Sequence, residues 1–137
     1  MLSQIIVDVK AQEEGEWREH PNFDGVEVKV RSIHAEAVRK RRAALQNRLP
    51  AKRRKLGDAI LSNEEIELHV TAACCIGWKG IEAENGEAIP WTEALCREWA
   101  DDPQYRRLFE GIREIADEIG QAEADAREES ESDLDKE

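Results

Sequence analysis

Along the chain, the spacing of apolar positions changes character near residue 34. Before that point it has period two: Val26-Glu27-Val28-Lys29-Val30 alternates apolar and charged residues, as a half-buried strand does. Ile5-Ile6-Val7-Asp8-Val9 is dense in β-branched residues, and Trp17 marks a further strand. Between them, Pro21-Asn22-Phe23-Asp24-Gly25 supplies turn chemistry, with Asp-Gly favouring positive φ at the reversal. Residues 1–33 are therefore predicted to be β-rich, forming a small antiparallel sheet of two or three strands. Such a sheet is marginal alone and needs a helical layer against one face.

From His34 the spacing becomes helical. Ala35 to Leu49 is rich in good helix formers, places Val38, Leu45 and Leu49 near one face, and ends beside Pro50. A second helix is predicted from Ser62, an N-cap with Glu65 three residues on, through Ile66, Val70, Ala73 and Cys74 to the region of Gly77. Thr92 and Glu93 open a short helix carrying Leu95 and Trp99, which closes at Asp101-Asp102-Pro103. The last helix repeats Tyr105, Leu108, Phe109, Ile112, Ile115, Ala116 and Ile119 at spacings of three and four, so one of its faces is core or contact surface. The expected fold class is α+β: a small N-terminal antiparallel β-sheet packed on a C-terminal bundle of three or four helices. Residues 1–120 form one domain, with 34–120 mainly helical.

Composition narrows this picture. A chain of 137 residues fits one domain with a tail and leaves no room for a multidomain enzyme. The net charge of -11 is unevenly placed: Arg31 to Lys55 holds ten Lys or Arg and the single acid Glu36, whereas Gln121 to Glu137 holds eight acids against Arg127 and Lys136. That terminal stretch has one large apolar residue, Leu134, and is expected to be a frayed helix end passing into a disordered acidic tail over 121–137. No apolar run approaches the roughly 20 residues that cross a bilayer, and Met1 to Lys10 lacks a basic region followed by a long apolar run. A soluble cytoplasmic protein is expected, without membrane contact.

Candidate chemistry is sparse. Cys74, Cys75 and Cys96 are an odd number with no secretion signal, and the spacings of structural zinc pairs are absent, so neither a disulfide framework nor a metal site is expected. His20, His34 and His69 lie in charged or amphipathic settings, no Gly-x-Ser-x-Gly elbow exposes a nucleophile, and Gly77-Trp78-Lys79-Gly80 is no phosphate cradle. The expectation is a protein that is not an enzyme and carries no cofactor. Arg39-Lys40-Arg41-Arg42 and Lys52-Arg53-Arg54-Lys55 have the footprint of a nucleic-acid binder, but the chain is acidic overall and shows no groove-reading motif. A nucleic-acid-binding accessory or regulatory role through 39–55 thus ranks below a basic protein-contact face that uses Arg39 and Arg42, and both rank below a solvated, inert helix face.

Cys75 to Trp99 is the informative stretch. Ile76 to Ile81 is read as a helix end, Asn85-Gly86 as a tight reversal that brings Ile81 and Ile89 together, and Pro90 as the residue that keeps Ile89 extended before Thr92 restarts the helix. The product is an elbow clamped by Trp78, Trp91 and Trp99. These indoles serve either as core or, where exposed, as anchors for an apolar partner helix. Candidate contact residues are Trp78, Ile81, Ile89, Trp91, Leu95 and Trp99 in the elbow, with Leu108, Phe109 and Ile112 on the last helix.

On these residues the sequence resembles the tail assembly chaperones of long-tailed bacteriophages. The shared pattern is an apolar helix running into Gly-Trp-Lys-Gly-Ile, a turn with Asn-Gly-Glu, then Ile-Pro-Trp-Thr, a Leu-bearing helix, an Asp-Pro break and an amphipathic helix. The Asp-Gly-Val-Glu-Val-Lys-Val-Arg-Ser strand also looks like the family's N-terminal part, and the resemblance covers roughly residues 14 to 117. It implies a non-catalytic protein of the host cytoplasm that keeps the tape-measure protein soluble, helps recruit major tail (tube) subunits, and is absent from the mature virion. Self-association and a structural tail or connector role are the remaining readings.

Overall fold

The computed structural model describes residues 9–48 and 63–135. A short helix α1 (Val9–Glu14) leads into strands β1 (Glu16–Glu19) and β2 (Glu27–Val30), and helices α2 (Glu36–Asn47) and α3 (Asn63–Cys74) follow. Then come β3 (Cys75–Lys79), α4 (Glu93–Ala100), a 3-10 turn (Pro103–Tyr105) and the long α5 (Arg106–Asp135). The three strands form one antiparallel sheet in the order β1-β2-β3 beneath the helices, so the architecture is α+β as the sequence predicts.

The alternation at Val26 to Val30 does what period two requires. Val28 and Val30 are fully buried on one face of β2 while Glu27 is exposed and Lys29 half-buried on the other. The turn at residues 21–25 closes with the His20 amide donating to the Val26 carbonyl at 2.8 Å, and Gly25 takes φ of 80°. On the outer face Trp17 is exposed at 42%, with the Lys79 ammonium 4.1 Å from its ring. The Ile5 to Val9 strand lies outside the described residues except for Val9, which begins α1 instead of ending a strand.

Two sequence readings are corrected at the end of α3. The apolar run does not stay helical to Gly77: α3 stops at Cys74, and Cys75–Lys79 becomes the third strand. Val28 pairs with Trp78 and Val30 with Cys75, so two residues of β2 face three positions of β3 and the register shifts between Lys29 and Val30. This bulge puts both Cys75 and Trp78 on the buried side, although their odd separation would place them on opposite faces of a regular strand. That odd spacing also hides the strand from a period-two reading. The predicted N-cap Ser62, with Leu49, lies outside the described residues.

The helices cover the sheet. Val38 and Leu45 of α2 pack with Ile66 and Val70 of α3, while Leu108, Phe109, Ile112, Ile115 and Ala116 of α5 close the core over Val28 and Val30. Each of the larger of these side chains, from Val to Phe, contributes about 1.5–3 kcal/mol when fully buried. Helix α4 starts where predicted, the Thr92 hydroxyl accepting from the Leu95 amide at 3.0 Å, and Asp102 caps the 3-10 turn by accepting from the Gln104 amide at 3.0 Å. Helix α5 continues past Gly120 to Asp135, and its Glu123 accepts from Ser32 and Gln12, each at 3.0 Å. No helix among the described residues is long and apolar enough to cross a membrane.

Candidate functional site

The elbow forms as its residues dictate. Between β3 and α4 the chain reverses at Asn85-Gly86, with Glu82 bridged to Ala88 and the Ile89 amide donating to the Ile81 carbonyl at 2.8 Å. Asn85 stabilises the turn by accepting from the Glu87 amide at 3.0 Å, and Gly86 takes φ of 85°. Trp78 fastens the returning arm, its indole N–H donating to the Ile89 carbonyl at 2.8 Å.

From Trp78 an aromatic ladder runs toward the surface. Trp78 stacks on Trp99 with ring centroids 4.9 Å apart, and Trp99 stacks on Tyr105 at 4.1 Å, with interplanar angles of 10° and 4°. The outer rungs open on a groove of about 500 Å³ whose apolar walls are Phe23, Val26, Ile81, Trp99, Tyr105 and Leu108. One wall comes from the β1–β2 turn, one from the elbow and one from the start of α5.

A buried histidine holds the turn in place. His20 is 3% exposed, and one ring nitrogen, Nε2, lies 2.8 Å from the Leu108 carbonyl while the other, Nδ1, lies 3.1 Å from the Asn22 amide. A carbonyl can only accept and an amide N–H can only donate, so Nε2 carries the proton and the ring is neutral. The Asn22 side chain donates to the Arg107 carbonyl at 3.3 Å, and the Arg107 guanidinium sits 5.5 Å from the Phe23 ring. Gly111 makes room: a Cβ there would stand 2.2 Å from His20 Cε1.

The sequence-predicted contact residues distribute unevenly over this geometry. Ile81, Trp99 and Leu108 line the groove, and Ile81 and Ile89 are half-buried partners in the elbow. Trp78, Phe109 and Ile112 are buried within the chain at 6%, 1% and 0% exposure, so they support the groove from beneath. Trp91 and Leu95 are half-buried against the core, Trp91 lining a separate cavity. Arg39 is exposed on α2, whereas Arg42 turns toward α3 and pairs with Glu67 at 2.5 Å. Sequence reasoning missed Phe23 and Tyr105 as groove walls and His20 as their anchor. The available signal was Gly111, a helix-disfavouring residue on the apolar face of α5.

The three thiols are buried. Burial pushes the Cys74 thiol up to about 12. Cys75 and Cys96 share a hydrogen bond that raises the first and lowers the second, and burial raises Cys75 further. Among the described residues no group of three or more His, Cys, Asp or Glu is arranged to hold a metal ion. What the site offers chemically is apolar and aromatic surface.

Residues 33–132 match a protein family described as YdaY prophage protein, a span that takes in α2 to α4, the whole elbow and most of α5. No curated protein and no solved structure matches the chain. The family match covers well over half of the sequence and marks the protein as phage-derived: the chain belongs to the YdaY prophage protein family.

Proposed function

We propose that this phage protein is a non-catalytic tail assembly chaperone whose aromatic groove holds an apolar stripe of the tape-measure protein, with tail-tube subunits as a second client. The observation that carries the reading is the groove itself: about 500 Å³, walled by Phe23, Val26, Ile81, Trp99, Tyr105 and Leu108, and backed by the stacked Trp78-Trp99-Tyr105 ladder. A preformed apolar trough between rigid elements suits the face of an amphipathic helix, which docks side chains spaced three and four apart. Stacked rings add contact area at little entropic cost, because the ladder is already ordered. The net charge of -11 keeps an otherwise aggregating complex dispersed. Function in the host cytoplasm and departure before the virion is complete belong to the same reading.

Coexpression tests it. A tape-measure protein from the same phage genome is expected to move from the insoluble to the soluble fraction when the two are made together, and to remain insoluble with a Phe23→Ser/Tyr105→Ser variant that still folds by circular dichroism. Unchanged solubility with the wild-type chain would overturn the proposal.

A further inference from the structure

A second cavity shares no lining residue with the groove. It measures about 460 Å³ and lies among α2, α3, β3 and α4. Its floor is apolar, from Ala72, Ile76 and Trp91, and its charged lining is Arg31, Lys40, Arg41 and Arg97 against the single acid Glu93. Three of these cations are already engaged: Arg31 with Glu13 at 3.1 Å and the Ala73 carbonyl at 2.8 Å, Lys40 with Glu36 at 3.1 Å, and Arg97 with Glu93 at 2.6 Å.

Arg41 differs. It is half-buried and has no ion pair among the described residues. Burial, followed by the nearby positive charges of Arg97 and Arg48, holds its pKa below the ordinary guanidinium value, against a smaller opposing pull from Glu93. Held cations that repel one another in a partly dry cavity are stabilised when an anion sits between them. The indole N–H of Trp91, in the same lining, is buried and directed at the Cys96 thiol.

We propose that this cavity is a docking site for an acidic peptide segment, in which a carboxylate meets Arg41 and Arg97 and a neighbouring apolar side chain covers Trp91 and Ile76. Charge complementarity selects the carboxylate, since guanidinium groups accept it in bidentate geometry. The apolar floor selects a peptide over a bare anion. A nucleic-acid strand fits less well: it needs cations along a track, whereas these surround one cavity. The start of α4 offers no phosphate cradle either, because Thr92 caps it and Glu93 occupies its first turn. The inference is independent of the aromatic groove and stands whichever client that groove takes.

The probe is a fluorescein-labelled peptide with a central leucine flanked on each side by two acidic residues, titrated by anisotropy against the full chain. Saturable binding is expected, weakening as salt is raised and absent for the same peptide with Asn and Gln in place of the acids. Arg41→Glu and Arg97→Glu should each weaken it about tenfold or more. Arg41→Lys, which keeps the charge but loses the planar fork, should weaken it less than Arg41→Glu does, and Arg107→Glu, beside the other groove, should leave it unchanged. Circular dichroism confirms that each variant is folded. Absence of binding to the wild-type chain, indifference to both charge reversals in folded variants, or a single-stranded DNA oligonucleotide that binds more tightly and displaces the peptide would each overturn the proposal.

Discussion

His20 and Gly111 act as one unit. The imidazole bridges the β1–β2 turn to α5 through the Leu108 carbonyl and the Asn22 amide, and it fits only because position 111 has no side chain. Gly111→Ala is expected to destabilise the fold by about 2–4 kcal/mol in urea unfolding, because the ring must leave and its buried partners lose their bonds. In a His20→Ala background the same substitution should cost far less, so additive losses in the double-mutant cycle would contradict this linkage. A second residue-scale test concerns pH. The Cys74 thiol rises from the ordinary 9.0 to about 12 on burial, so between those values the folded chain holds a proton that the unfolded chain has released. This contribution to stability is complete below pH 9 and lost as pH climbs toward 12. Cys74→Ala should remove that part of the alkaline decline, measured as unfolding free energy at pH 8 and pH 10.5.

At the scale of elements, the elbow is the unit that converts sequence into a surface. Trp78→Ala removes the first rung of the ladder and the bond to the Ile89 carbonyl, and should cost about 3–5 kcal/mol in chemical denaturation. Thr92→Ala, which only strips the cap from α4, should cost about 1 kcal/mol. These features were legible because they rest on local chemistry: Asn85-Gly86 for the reversal, Pro90 for the extended approach, Thr92 for the helix start, and the spacing of three and four for α5. The β2 alternation was legible for the same reason. Strand β3 was not, because a bulge breaks its period and the preceding helix is equally apolar. Phe23 and Tyr105 could not be placed on one groove from sequence, since 82 positions separate them and only packing brings them together. The division of the α5 stripe, in which Leu108 reaches the groove while Phe109 and Ile112 remain inside, likewise depends on the neighbours and not on periodicity.

At the scale of the whole molecule, the fold offers two distinct kinds of surface on one small body: an aromatic groove and a cation-lined cavity, with acids concentrated in the far part of α5. The two sites share no residue, so variants of one should leave the other intact, which allows apolar and acidic clients to be separated experimentally. The central claim is that the groove receives an apolar helix. The most direct measurement is the affinity of a purified amphipathic tape-measure segment for the wild-type chain and for folded Phe23→Ser and Tyr105→Ser variants, read by fluorescence anisotropy. Saturable binding by the wild type and a loss of about tenfold or more in each variant are expected. Equal affinity across all three folded proteins would contradict the claim.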